Sequence, residues 1–224
     1  MRTVRLLAFF GVALAAAALG PAASARAGLI ADDLHGLLGW HGTQHFQATP
    51  SLYLNVDYCV YAPGAFDLTF GSGADPSHGT QYVYAYQILN DIPGHPAPDP
   101  LKDYVTSFSV GLSDRNEQPA NVAVVTVTGG KTPALKYFSP APPQVPSTVT
   151  WKFTTSVKSG SFSNILLYTS PFGPELDNAT ILGYSADTHL LPSPLPEPAT
   201  LMLMGGGLAA ILWQARRRAI STDS

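Results

Sequence analysis

The sequence predicts an all-β protein, an antiparallel β-sandwich of jelly-roll-like type, on three observations. Between Gly28 and about Leu191, short apolar and β-branched runs are separated by clusters of Gly, Pro, Asn and Asp. Twenty Gly and twenty Pro stand beside only 12% charged residues, a composition that does not suit a helical bundle or coiled coil. No ten-residue stretch of this middle region shows a convincing helical period.

Nine strands are expected in order: Leu52–Tyr61, Ala65–Phe70, Gln81–Leu89, Val105–Leu112, Val122–Thr128, Leu135–Phe138, Thr148–Thr155, Ile165–Thr169 and Thr180–Tyr184. In the seventh, Val149, Trp151 and Phe153 alternate with polar residues and share one face. The fifth is apolar on both faces, so burial on both sides is expected. Ala31 to Trp40 could form one or two helical turns starting at Asp32 or Asp33 as a cap. Pro93 to Pro100 and Pro140 to Pro146 read as stiff proline-rich connectors. Pro192-Ser193-Pro194 reads as the start of a linker, so the organisation expected is an ectodomain over 28–191 and a linker over 192–198.

Composition also excludes several classes. An apolar fraction of 46% with a net charge of −3 does not describe a disordered chain, and nothing is basic enough for a nucleic-acid partner. Cys59 is the single cysteine, which rules out an intramolecular disulfide framework and a multi-cysteine metal site. From Gly28 to Leu195, 13 acidic residues against 6 basic ones leave −7.

Both ends carry addressing features. Residues 1–27 read as a secretory signal peptide: Arg2 and Arg5 precede the apolar run Leu6 to Leu19, and Ala25-Arg26-Ala27 has the small-x-small pattern of signal peptidase. Cleavage would leave Gly28 as the first mature residue; an uncleaved anchor is the alternative, disfavoured by the short run. At the other end, Pro196-Glu197-Pro198 leads into the apolar run Ala199 to Trp213 and then Arg216-Arg217-Arg218. Fifteen residues make a helix of about 22 Å against a hydrocarbon core of about 30 Å. It spans if the arginines snorkel and the bilayer thins. The arginines belong on the cytoplasmic side, which leaves the middle of the chain outside. Pro196 and Pro198 keep the preceding stretch extended, as a peptide entering a protease groove must be.

This tail resembles the PEP-CTERM sorting signal of Gram-negative bacteria, with its Pro-Glu-Pro motif, short transmembrane segment over 199–218 and arginine cluster, here followed by a cytoplasmic end over 219–224. The Gram-positive sortase signal fits less well, because Pro198 stands where Leu-Pro-x-Thr-Gly requires Thr. The resemblance implies recognition by an exosortase, a membrane cysteine transpeptidase-like enzyme. Pro196, Glu197 and Pro198 would be its recognition motif and Arg216 to Arg218 the retention cluster. It further implies anchoring in the inner membrane before sorting, then delivery to the cell surface or extracellular matrix, in association with exopolysaccharide and biofilm.

Catalytic signatures are few. Gly71-Ser72-Gly73 sits in an expected hairpin loop and lacks the Gly-x-Ser-x-Gly spacing of a hydrolase elbow. His41 and His45 have no Glu between them and Gly42 opposes a helix, so they read as loop histidines rather than a metal pair. Cys59 is out of phase with Leu54, Val56, Tyr58 and Val60 and reads as a packing residue. Asp32, Asp33, Asp91, Asp99 and Asp103 are loop carboxylates of the kind calcium prefers, but no Asp-x-Asp-x-Asp-Gly loop is present, so no cofactor is expected. Tyr82, Tyr84 and Tyr86 line one side of a strand: exposed, they would stack on sugar rings; buried, they would fill the core. The expectation is a non-enzymatic exported sandwich of structural or adhesive role. A carbohydrate-binding module is the alternative, and a secreted glycan or ester hydrolase a weaker one.

Overall fold

The computed structural model describes residues 28, 30–49, 52–90, 101–112, 121–139 and 147–195. The expected signal peptide, both proline-rich connectors and the expected transmembrane segment lie outside these residues. The described chain is mostly strand, with one five-residue helix.

Among the described residues eleven strands form two antiparallel sheets. The first five elements are β1 (His41–Ala48), β2 (Leu52–Tyr61), α1 (Phe66–Phe70), β3 (Tyr82–Asn90) and β4 (Tyr104–Leu112). They are followed by β5 (Val122–Val125), β6 (Leu135–Ser139), β7 (Ser147–Lys158) and β8 (Ser161–Phe162). The last three are β9 (Ile165–Ser170), β10 (Pro174–Gly183) and β11 (Ala186–Pro194). One sheet runs β1-β2-β3-β9-β5, with β8 beside β3; the other runs β11-β10-β4-β7-β6. A jelly-roll wrapping is not what results, because β1, β2 and β3 are consecutive neighbours in a meander.

The alternation of each strand explains how the sheets meet. Leu54, Val56, Tyr84, Tyr86, Leu166 and Tyr168 of the first sheet face Phe108, Val110, Val149, Trp151, Ile181 and Leu191 of the second in one core. The expected face of Val149, Trp151 and Phe153 is the buried one. The first sheet is also covered on its other face. There Cys59, Tyr61, Val83, Ala85, Ile165 and Leu167 pack beneath Ile30, Phe66 and Val127. This is why its central strands read as continuous apolar runs rather than as alternating ones.

Four expectations need correction. Ala65–Phe70 was expected as a strand, and Phe66-Asp67-Leu68-Thr69-Phe70 does alternate at period two. It folds instead as α1, where Phe66 and Phe70, four apart, stack at 4.5 Å and meet Tyr61 edge-on. Gly71, at φ 95°, ends the helix, so Gly71-Ser72-Gly73 follows α1 rather than closing a hairpin. Ala31 to Trp40 forms turns without a helix, although Asp33 does accept the His35 N–H at 3.0 Å. Val122–Val125 is an edge strand, half-buried rather than enclosed.

The fourth correction concerns the linker. Pro192, Ser193 and Pro194 belong to β11, with Pro194 opposite Pro174, and all three are buried. Proline is tolerated there because β11 is an edge strand and its missing N–H costs no ladder bond on the open side. Leu195 still donates its N–H to Gly173 O at 2.9 Å. The folded body therefore extends four residues further than its composition implies.

Candidate functional site

Tyr84 and Tyr86 are not a stacking surface. They are fully buried between the sheets, and Tyr82 packs partly buried against the same core. Tyr84 stacks on Tyr168 at 5.0 Å, and Tyr86 meets Phe108 edge-on at 5.5 Å. Their hydroxyls are used internally: Tyr84 donates to Phe172 O at 2.8 Å and Tyr86 donates to Pro192 O.

The histidines expected in loops lie on β1. His41 Nδ1 is 2.8 Å from Ala31 O, and His45 Nδ1 is 3.0 Å from Asn55 Oδ1. Among the described residues no three His, Cys, Asp or Glu side chains are grouped to hold a metal ion. His35 meets both Thr69 Oγ1 (2.9 Å) and Asp33 Oδ1 (3.3 Å) through the same nitrogen, so its ring cannot relay a proton between them as a catalytic triad does. Cys59 is fully buried beneath Gly36, and burial pushes its thiol up to about 12, far from a nucleophile's range.

Three carboxylates are held by internal hydrogen bonds, Asp33 and Asp57 at this covered face and Asp103 at the Asn90 end of β3. Asp33 is pushed up by burial, but the His35 N–H and the hydroxyls of Thr69 and Tyr61 outweigh this and hold it below the usual value. Burial raises Asp57 above the ordinary range, with the Thr43 hydroxyl at 2.6 Å opposing and Asp32 adding to the rise. Asp103 is likewise raised by burial, against bonds from Asn90, Ser159 and the Tyr53 N–H.

A second candidate surface is the outer face of the second sheet, exposed at Thr188, half-buried at Thr180, Ser109 and Tyr137, and buried at Thr150. Register places Thr188, Thr180, Ser109, Thr150 and Tyr137 side by side on five successive strands. Thr180 and Thr188 share a hydroxyl contact at 2.9 Å, and Ser109 and Thr150 one at 3.0 Å. The Lys152 ammonium lies 5.5 Å above the Tyr137 ring. Beside this row runs a groove of about 380 Å³ lined by Ser107, Leu135, Lys152, Thr154 and Leu182. The alternation of Thr148, Thr150, Lys152 and Thr154 was visible in the sequence. The row itself was not, because it needs the pairing of β4 with both β7 and β10.

The remaining site residues are at the carboxyl end. Pro196, Glu197, Pro198 and Arg216 to Arg218 lie outside the described residues, as do Ala25 and Ala27; Gly28 is half-buried. Among the described residues no helix is long and apolar enough to cross a membrane. Residues 194–218 match the family model of the PEP-CTERM protein-sorting motif. The chain carries a PEP-CTERM sorting domain. No curated protein and no solved structure matches it. A PEP-CTERM motif marks an exported protein with a membrane-anchored sorting signal, and exosortase is the enzyme that recognises it. The PEP-CTERM match begins at Pro194, the last residue of β11, so the sorting signal starts where the folded body ends.

Proposed function

We propose that the chain is a non-enzymatic structural or adhesive protein of the Gram-negative cell surface or extracellular matrix, where it associates with exopolysaccharide. The reading has the leader over 1–27 removed, the tail held in the inner membrane until exosortase acts, and the two-sheet body released outward. The observation that carries the polysaccharide part is the in-register hydroxyl row Thr188–Thr180–Ser109–Thr150–Tyr137 beside an open groove. The hydroxyls of Thr188, Thr180 and Ser109, which keep spare acceptor capacity beside their mutual contacts, and the half-buried Tyr137 ring with its ammonium at one end offer a few weak hydrogen bonds and one ring contact. Extended neutral glycans suit such a surface better than compact ligands, which need a concave pocket. A carbohydrate-binding role thus joins the structural one at this face, replacing the buried tyrosines.

Co-sedimentation of the exported protein with the host's purified exopolysaccharide tests the proposal. Binding is expected, and Tyr137→Ser with Thr180→Asp should weaken it at least about ten-fold while leaving the circular dichroism spectrum unchanged. No binding by the unaltered protein, or equal binding by the double variant, overturns the glycan reading.

A further inference from the structure

We propose that the α-ammonium group freed at Gly28 by leader removal is the internal counter-ion of buried Asp57, so that cleavage completes the fold. The inference rests on the reading that the leader ends at Ala27. A Cβ built on Gly28 would stand 3.5 Å from Asp57 Oδ2, with no nearer obstacle. Glycine has a hydrogen in that direction. Once the bond to residue 27 is cut, a rotation of about 120° about the Gly28 Cα–C bond carries the nitrogen to that same tetrahedral position, since N–Cα is only about 1.46 Å. The new cation then lies within a small adjustment of a charge-assisted hydrogen bond to Oδ2.

The surroundings call for such a group. Asp57 is 2% exposed, and its Oδ1 already accepts from Thr43. Among the described residues no lysine or arginine forms an ion pair with it, and the charge that acts on it, Asp32, has the same sign. Gln87 is directly opposite Asp57 in register and fully buried, and its Oε1 has no donor. A buried carboxylate beside an acceptor without a donor is a costly arrangement, and an ammonium at the Gly28 position supplies a charged donor to Asp57 Oδ2. The other titratable groups on this face are engaged: His41 with Ala31 O, His35 with Asp33 and Thr69, Asp33 with Tyr61, and Cys59 beneath Gly36. Ile30, fully buried against Cys59 and Tyr61, holds the segment in place for the contact.

The test uses the full chain expressed with its leader, purified after export, and a variant with Gly-Ser inserted between Ala27 and Gly28. N-terminal sequencing first establishes the start. The insertion should lower Tm by about 5 °C. Asp57→Asn should lower it by a similar amount, and the two together by no more than either alone. Acylation of the Gly28 amine by an N-hydroxysuccinimide ester at neutral pH should also be about ten-fold slower than that of the inserted amine, a readout that survives if Asp57→Asn does not fold. A start elsewhere than Gly28 overturns the cleavage reading and this inference together. A Gly28 start with unchanged Tm and unchanged acylation rate overturns this inference alone.

Discussion

Tyr86 at the centre of β3 donates its hydroxyl to the carbonyl of Pro192 in β11, tying the middle of the core to the last turn of chain before the sorting motif. Tyr86 is fully buried, and burial drives its hydroxyl well above the usual phenolic range, so it stays a donor at every pH the protein meets. Ser193 adds a second tie, donating to Gly111 O at 2.7 Å.

Tyr86→Phe should therefore destabilise the folded body by about 1–2 kcal/mol in urea unfolding, since it leaves the Pro192 carbonyl short of a buried donor. Tyr84→Ala should cost about 3–5 kcal/mol, the loss of a core ring rather than of a ligand contact. Ending the chain at Leu191 should cost more than Tyr86→Phe, because it removes both ties and the Leu195 bond to Gly173.

Gly36 covers Cys59 so closely that a Cβ there would lie 2.4 Å from Sγ. Gly36→Ala should lower stability by about 1–3 kcal/mol through overpacking, and Cys59→Ala should recover much of it. In the unaltered protein the thiol should react with a disulfide reagent at pH 8 only after denaturant is added.

Asp103 supplies a pH signature. Its carboxyl is raised in the folded state above the unfolded value of about 3.9, so its contribution to stability is fully present below about pH 4 and is lost as pH rises through the raised value. Urea unfolding from pH 4 to 7 should show the unaltered protein losing stability relative to Asp103→Asn as pH increases. A flat difference would remove Asp103 from the account.

Changing Pro196, Glu197 and Pro198 together to alanine should block release. Fractionation should then find the uncleaved chain collecting in the inner membrane, whereas unchanged release would mean that the motif is not what exosortase reads.

Much of this architecture was legible in the residues. The strands expected at Leu52–Tyr61, Gln81–Leu89 and Val105–Leu112 lie within one or two residues of β2, β3 and β4, because buried strands announce themselves through apolar and β-branched runs. The misses have physical causes. β1 carries little apolar signal because only Phe46 of its eight residues is fully buried. β11 went unnoticed because two prolines look like a linker unless the strand is known to lie at an edge. Period two in Phe66–Phe70 misled because a single helical turn also brings residues four apart together. Of the two readings open to Tyr82, Tyr84 and Tyr86, core filling is the one the structure bears out, because their face meets the second sheet. The candidate glycan face and the surroundings of Asp57 are out of reach because both depend on strand pairing. Each is assembled from residues that only strand pairing makes neighbours.

Because β11 runs to Pro194, only four residues, 195–198, separate that proline from Ala199, where the apolar tail is predicted to begin. However taut, that leash measures about 13 Å. With the tail held in the membrane as proposed, the body would be berthed almost flush with the lipid, its lower rim shaded from any large visitor. Severing the leash would then free the whole body to turn and bare that rim.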